Sequence, residues 1–325
     1  MGIKYLNRFL RTECKDSIKF VSIAELSGKK IAVDISIYMY KFHAEDTLIE
    51  NIYLMLSIFR HYNIIPIFIF DGKAPAEKKA LLDKRRENKR DAEKEYNKLK
   101  KELSENNEID DDDKQEIISN MDVLKKQFVY ITREKIEEVK RLIRAYGATY
   151  YDAIGEADEL CAQLILNNRV WACLSEDMDM FVYGCYRVIR YISLLNHTIV
   201  LYDNKEILKT LEMTQKELRE ICVISGTDYN MYNEDNKNAP NLQQTLKLFD
   251  KFKRQKEELN FYDWLINNTE YIEDYELLQK IYKLFDLKKC NMDKTENIKI
   301  VNGPIIREEI KQILKNDGFL FPYNY

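Results

Sequence analysis

Three short apolar runs stand out in the first half of the chain: Ile31 to Ile35, Ile64 to Phe70, and Val170 to Leu174. Each is rich in β-branched or aromatic side chains, and each is read as a buried strand. Between them the apolar positions fall at helical spacing, as in Leu48, Tyr53, Met55, Leu56 and Phe59, and again in Ile136, Val139, Leu142, Ile143 and Tyr146. Strands alternating with helices predict an α/β fold whose parallel sheet is covered on both faces. Acids stand at or just beyond the carboxyl ends of these strands: Asp34, Asp71, and Asp177 with Asp179. In open α/β sheets that edge is where ligands bind.

The pattern changes abruptly between residues 72 and 130, where charge dominates and apolar positions thin out. Helix formers are frequent there, so the segment is read as one or two long exposed helices inserted between core elements. Its first part, Lys73 to Lys101, is rich in Lys and Arg, and Asp110 to Asp113 form an acidic patch after it. Composition alone leaves the basic part open between a solvated helix laced with ion pairs and a nucleic-acid contact. The aspartate run is read as a solvated turn and helix start, because neighbouring acids in a loop are not held in fixed geometry. After Asp228 the chain becomes rich in Asn, Lys and Tyr, with helical stretches at Leu242 to Phe252 and Tyr271 to Phe285. The expected division is a core at 1–230, carrying the insertion at about 72–130, and a mostly helical region at 231–325.

Composition changes this picture little. The 325 residues are 45% hydrophobic and 12% aromatic, enough for a folded core, and the net charge of −4 gives no general attraction for polyanions. Any nucleic-acid binding must therefore come from local basic patches. Cys14, Cys161, Cys173, Cys185, Cys222 and Cys290 are scattered without CxxC spacing, which reads as reduced thiols and no structural zinc. No apolar run is long enough to span a bilayer, the start lacks a secretory pattern, and Leu6 stands where a myristoylation motif wants Ser or Thr. A soluble intracellular protein is expected, without a membrane partner.

The candidate chemistry lies in seven acids set among apolar or small neighbours: Asp34 in AVDIS, Asp71 in IFDGK, Glu156 and Asp158 in IGEADEL, Asp177 and Asp179 in SEDMDMF, and Asp228 in SGTDYN. Burying isolated carboxylates costs several kcal/mol each, so something positive must compensate them. Clustered carboxylates protonate unless divalent cations occupy the cluster, and oxygen ligands without His or Cys favour Mg²⁺ or Mn²⁺ over zinc. Glu156 and Asp158, two apart, would diverge on a regular helix and converge only at a helix start, which Gly155 and the run after it permit. One D-x-D is weak evidence, since capping acids outnumber metal ligands; five acidic motifs at the ends of core elements are stronger.

The order of these motifs resembles the flap endonuclease family, the XPG-type structure-specific 5′ nucleases. MGIKYLNRFL resembles the family's opening, IAVDISIYMYKF its first acidic strand, FIFDGKAP its second, IGEADELCAQL its paired-acid helix, LSEDMDMFVYG its third acidic pair, and ICVISGTDYN its last aspartate. The resemblance spans about residues 1–230 and implies a PIN-like parallel-sheet fold with a helical arch, formed by the charged insertion, that admits a 5′ single strand. It implies that the seven acids hold two Mg²⁺, with Mn²⁺ as a substitute. It makes Lys78 and Arg85, seven residues and two helical turns apart, the basic pair that holds the scissile phosphate. Tyr40 matches a family tyrosine that stacks on the base beside the cut; its residue type alone reads as core packing, as for Tyr38 and Phe42.

The implied activity is a Mg²⁺-dependent 5′ endo- or exonuclease acting on DNA flaps, gaps or ends in replication and repair, in a monomer located in the nucleus. Two alternatives stay open: a catalytically silent DNA-binding scaffold of the same fold, and a ribonuclease on the same core. One departure concerns the duplex. The family follows its last aspartate with a glycine-containing hairpin that grips duplex phosphates, whereas this chain has no glycine from Thr227 to Asn302. Lys237, Lys247, Lys251, Lys253 and Arg254 offer a plainer electrostatic contact there. Gln243, Leu246 and Phe249 partly mimic a sliding-clamp box, but Asp250 follows where an aromatic is wanted, so a core helix is expected and no clamp partner. The closing DGFLFPYNY is read as an apolar tail packed back on the domain.

Overall fold

The computed structural model describes residues 2–105, 111–232, 239–255, 259–287 and 293–320, so that Asp110, Lys237, Cys290 and the last five residues of the apolar tail lie outside the described residues. Seven strands form one sheet among the described residues: β1 (Ile18–Ser22), β2 (Lys30–Asp34), β3 (Ile65–Phe70), β4 (Thr149–Asp152), β5 (Ala172–Leu174), β6 (Arg187–Ser193) and β7 (Thr198–Asp203). Their spatial order is β1-β7-β6-β5-β2-β3-β4. The three apolar runs are the adjacent central strands β5, β2 and β3, parallel to one another and flanked by β4 and β6, also parallel. The parallel sheet expected from sequence carries one antiparallel edge, where β7 runs antiparallel to both β6 and β1. Strand β1, which has no buried residue, forms no continuous apolar run and so carries no parallel-sheet signature.

Helices α1 (Leu6–Glu13), α2 (Ser36–Ala44), α3 (Leu48–His61), α4 (Lys79–Glu105), α5 (Asp111–Lys125), α6 (Arg133–Ala145), α7 (Ala157–Leu166) and α8 (Asp179–Tyr183) fall within the first 183 residues. They are followed by α9 (Asn204–Thr210), α10 (Gln215–Ser225), α11 (Leu242–Gln255), α12 (Phe261–Asn268), α13 (Tyr275–Phe285), α14 (Asp293–Glu296) and α15 (Arg307–Asn316). Strand alternation divides the core in two. Ala32, Ile67 and Ile69 pack with α1, α7, α8 and α10 to α13, whereas Ile31, Val33, Phe68 and Phe70 pack with α2, α3, α6 and α15. Helix α13 begins four residues later than its apolar pattern, because the Asp274 side chain caps it by accepting from the Leu277 N–H at 2.9 Å.

The charged insertion is helical as expected, in two pieces, α4 and α5, with Tyr96 of α4 edge-on to Phe128 at 5.3 Å. Phe249 of α11 is buried edge-on to Phe261, so the residue that mimicked a clamp box serves the core. At the C-terminus Phe319 packs on Tyr53 while Leu320 is exposed. The chain before α15 also returns to the sheet: the Gly303 N–H donates to Gly147 O at 2.7 Å and the Ile306 N–H to Ala145 O at 2.7 Å. Gly147 holds φ 76, and a Cβ there would run into the Gly303 carbonyl.

Candidate metal centre and its basic partners

The carboxyl edge of the sheet gathers all seven acids. Asp34 ends β2, is buried, and accepts from the Ser175 hydroxyl at 2.9 Å. Asp71 follows β3 and accepts from the Ala157 N–H at 2.9 Å, satisfying a free donor at the start of α7. The Gly72 N–H donates to Gly155 O and the Lys73 N–H to Ile154 O, zipping the two acid-bearing loops together. Here glycine is required, since a Cβ on residue 72 would collide with the Ala153 and Ile154 carbonyls.

Glu156 is the N-cap residue of α7 and Asp158 lies in its first turn, so this pair converges at a helix start as its spacing requires. Asp177 and Asp179 occupy the turn from β5 into α8; the Asp177 N–H donates to Ser175 Oγ and the Asp179 N–H to Asp177 Oδ1 at 3.0 Å. Asp158, Asp177 and Asp179 are all buried, and each presents one oxygen within 4.8 Å of the other two. Both oxygens of Asp179 are buried without a hydrogen-bond partner among the described residues. Asp228 follows α10 after Gly226, whose φ of 104 turns the chain back toward the site.

Burial and mutual repulsion push this cluster toward its protonated forms. The Asp34 carboxyl is raised to about 7, by burial first and by the Asp71 charge second. Asp158 and Asp179 are held well above the usual carboxylate range by burial and by their acidic neighbours, against the opposing pull of Lys78. Lys78 is itself buried, at the end of the 3-10 turn Ala76–Lys78; its Nζ lies 2.8 Å from Glu156 Oε1 and 4.0 Å from Asp228 Oδ2. Burial works against its charge, but Asp158, Glu156 and Asp179 together outweigh burial and keep its pKa above the ordinary lysine value. Arg85 of α4 reaches Asp228 Oδ2 at 3.0 Å. Two cations from the insertion thus stand against acids from the sheet. The partnerless Asp179 oxygens and the all-oxygen donor set fit a hard divalent cation.

These values set a pH dependence. In metal-free protein Asp34 keeps its proton when folded and loses it near 3.8 when unfolded, so its stabilising contribution is full below pH 3.8 and disappears as pH rises through 7. A divalent cation that binds the ionised cluster reverses this loss. Mg²⁺ is expected to raise the melting temperature more at pH 8 than at pH 5, as measured by fluorescence or calorimetric melting.

Residues 1–92 match the XPG N-terminal domain and residues 147–228 the XPG I-region, together more than half of the chain. The chain belongs to the XPG family. Flap endonuclease 1 of Zea mays is 31% identical over 253 residues, 70% of this chain and 62% of that protein. Flap endonuclease 1 of Lodderomyces elongisporus is 28% identical over 248 residues, 70% of this chain and 61% of that protein. The matched region therefore spans about six-tenths of these relatives. Among solved structures, the catalytic core of Rad2 in complex with DNA substrate superposes with a TM-score of 0.64 at 21% identity, covering 98% of this chain and 94% of that one. Flap endonuclease-1 from Methanococcus jannaschii gives 0.61 at 22% identity, covering 92% and 90%. Human GEN1 in complex with Holliday junction DNA gives 0.60 at 17% identity, covering 97% and 73%. At these identities the likeness establishes the fold, the PIN-like nuclease fold expected from the motifs.

Within this XPG-family site Tyr40 stands apart from its neighbours. Tyr38 and Phe42 are buried, whereas the Tyr40 ring is half exposed and has the Lys89 ammonium 4.9 Å from its centre. Lys89 also lies 5.1 Å from the Tyr130 ring and donates to Val129 O at 2.8 Å, tying α4 to the end of the insertion. Of the cations expected to meet a duplex, Lys247, Lys251 and Arg254 are exposed on α11, and Lys253 pairs with Glu217 at 3.0 Å.

Sequence reasoning missed three residues at the centre. Gly2 holds φ 72, and a Cβ there would enter the space of the Asp177 and Asp179 carboxylates. Ser175 serves both Asp34 and the Asp177 backbone. Tyr229 donates its hydroxyl to Glu156 Oε2 at 2.7 Å while its ring lies 4.8 Å from Lys78 Nζ, so one side chain braces an acid and a cation together. The only sequence signals for these were the glycine in the opening motif and residues adjacent to acids already singled out.

Proposed function

We propose that the chain is a divalent-metal-dependent, structure-specific 5′ nuclease that hydrolyses DNA phosphodiester bonds at flaps, gaps or ends in replication and repair. The observation that carries this reading is the buried triad Asp158, Asp177 and Asp179, with the Asp179 oxygens unsatisfied, facing Lys78 and Arg85. Asp34, Asp71, Glu156 and Asp228 complete the set of oxygens that would hold a pair of Mg²⁺. When bound, the metal pair lowers the pKa of an attacking water and neutralises charge at the leaving 3′ oxygen.

The chain's own groups do the positioning. Lys78 is fixed by Glu156 and the Tyr229 ring, so its charge is aimed before substrate arrives and needs no reorganisation during reaction. Arg85 brings a second charge from α4, and the two would hold the scissile phosphate at the acid cluster. The half-exposed Tyr40 ring would stack on the base beside the cut, and α4 with α5 would admit the 5′ single strand. Action on nuclear DNA, by a monomer, belongs to the same reading.

The test is a labelled 5′-flap duplex incubated with the purified chain in Mg²⁺ and in EDTA, alongside an RNA flap of equal geometry. Cleavage of the DNA flap in Mg²⁺ alone is expected, leaving a 5′ phosphate. Cleavage that persists in EDTA removes the metal mechanism; preference for the RNA flap reassigns the substrate; no cleavage in any condition favours the silent scaffold.

A further inference from the structure

Two exposed tyrosines on the rim of the acid cluster hold backbone conformations that side chains adopt only at a cost. Tyr5, at the start of α1, has φ 65 and ψ −3, makes no side-chain cap, and is 61% exposed. Tyr191 has φ 53, sits where the pairing of β6 with β7 shifts register between Arg190 and Ser193, and is 40% exposed. Left-handed backbone is disfavoured for a bulky non-glycine residue, and neither ring is buried deeply enough for packing to explain it. Strain of this kind collects where a side chain must be aimed, and bulges beside active sites re-aim side chains.

Both tyrosines are tied to segments that meet the acid cluster. Gly2, three residues before Tyr5, lies against Asp177 and Asp179. The Tyr191 N–H donates to Glu176 Oε1 at 2.6 Å, beside Asp177, and the Tyr191 hydroxyl accepts from Asn7 Nδ2 at 2.8 Å. Helix α1 connects them: Leu6 and Leu10 are fully buried, and Arg8 and Arg11, three residues apart, share its outer side. Neither guanidinium has a carboxylate partner among the described residues, although carboxylates are plentiful in this chain. Lys78 and Arg85 approach the acids at Glu156 and Asp228, while Gly2, four residues before α1, lies against Asp177 and Asp179, so the segment that leads into basic α1 meets the acids from a different side.

We propose that Tyr5, Arg8, Arg11 and Tyr191 form a platform for the backbone phosphates of a nucleic-acid duplex, carrying the double-stranded arm of the substrate away from the acid cluster. This deepens the nuclease reading and rests on it. Two cations hold the Tyr191 ring, the Arg11 and Arg190 guanidinium carbons lying 5.8 and 4.8 Å from its centre, and Lys4 Nζ lies 5.3 Å from that of Tyr5. The platform therefore offers charge and hydroxyl groups to phosphates instead of open rings to unpaired bases. It also supplies duplex contact in a chain that has no glycine between Thr227 and Asn302, the stretch after Asp228, to bring backbone close to a phosphate.

The test compares the full chain with its Arg8→Ala/Arg11→Ala variant, using fluorescence anisotropy on a blunt DNA duplex without a flap and on a single strand, both in EDTA. The variant is expected to bind the duplex about tenfold more weakly, with a salt dependence shallower by about two between about 50 and 200 mM salt, and to bind the single strand almost as the parent does. The Arg8→Lys/Arg11→Lys variant should regain the slope. Unchanged duplex affinity and slope, or an equal loss on the single strand, overturns the proposal. Tyr5→Gly should raise the melting temperature by relieving strain and yet weaken duplex binding; a higher melting temperature with unchanged binding removes Tyr5 from the platform. A parent that binds duplex but leaves a flap uncut in Mg²⁺ sinks the nuclease reading and leaves the duplex surface standing. A parent that cuts, with a double variant that binds as well as it does, sinks the platform and leaves the nuclease reading intact.

Discussion

Asp179→Asn is expected to abolish flap cleavage while making the metal-free protein more stable. Among the described residues both oxygens of this carboxylate are buried without a hydrogen-bond partner, and its ionised form is opposed by burial and by Asp177, Asp228 and Asp158. An amide of the same shape removes that unfavourable charge, so the melting temperature in EDTA should rise. The same change removes an anionic ligand from the triad, and the single-turnover rate should fall by about a thousandfold or more, on the order of 4 kcal/mol of barrier. The stabilising effect of Mg²⁺ should shrink with it. A variant that is less stable in EDTA and gains as much stability from Mg²⁺ as the parent does would show that Asp179 serves the fold and not a cation.

The second large effect is expected for Lys78→Ala. Its ammonium is the buried counter-charge to Glu156 and stands over Tyr229, so its loss removes a fixed positive group from the place where phosphate charge would develop. The single-turnover rate should drop by about two to three orders of magnitude, as for the loss of one preorganised donor, while substrate affinity changes by about threefold or less. Tyr229→Phe keeps the ring but releases Glu156, and should give a smaller rate loss accompanied by weaker metal dependence. An effect of Lys78→Ala confined to affinity would reassign the residue to ordinary phosphate binding.

The parts of this molecule that were legible in sequence are those where one physical demand dominates. Strands β2, β3 and β5 are buried on both faces and spell continuous apolar runs, so they and the acids at their ends could be read directly. The Glu156 and Asp158 pair was legible because only a helix start lets two such residues converge, and Gly155 announces one. The antiparallel edge was not, since β1 has no buried position and β6 mixes exposed and buried ones without a clean period. The return of α15 to the α3 and α6 face rests on backbone bonds from Gly303 to Gly147 and from Ile306 to Ala145, far apart in the chain, which no local pattern encodes. Gly2 and Tyr229 were missed for a related reason: their roles arise from what lies across the site, not from their neighbours in sequence.

Anomalous diffraction from crystals of the chain soaked in Mn²⁺ tests the central claim most directly. Density for the cation is expected between Asp158, Asp177 and Asp179, with further oxygens drawn from Asp34, Asp71, Glu156 or Asp228, and it should vanish in Asp179→Asn crystals. A fully soaked crystal in which these carboxylates hold no metal cation, and keep only Lys78 and Arg85 as positive partners, would contradict it.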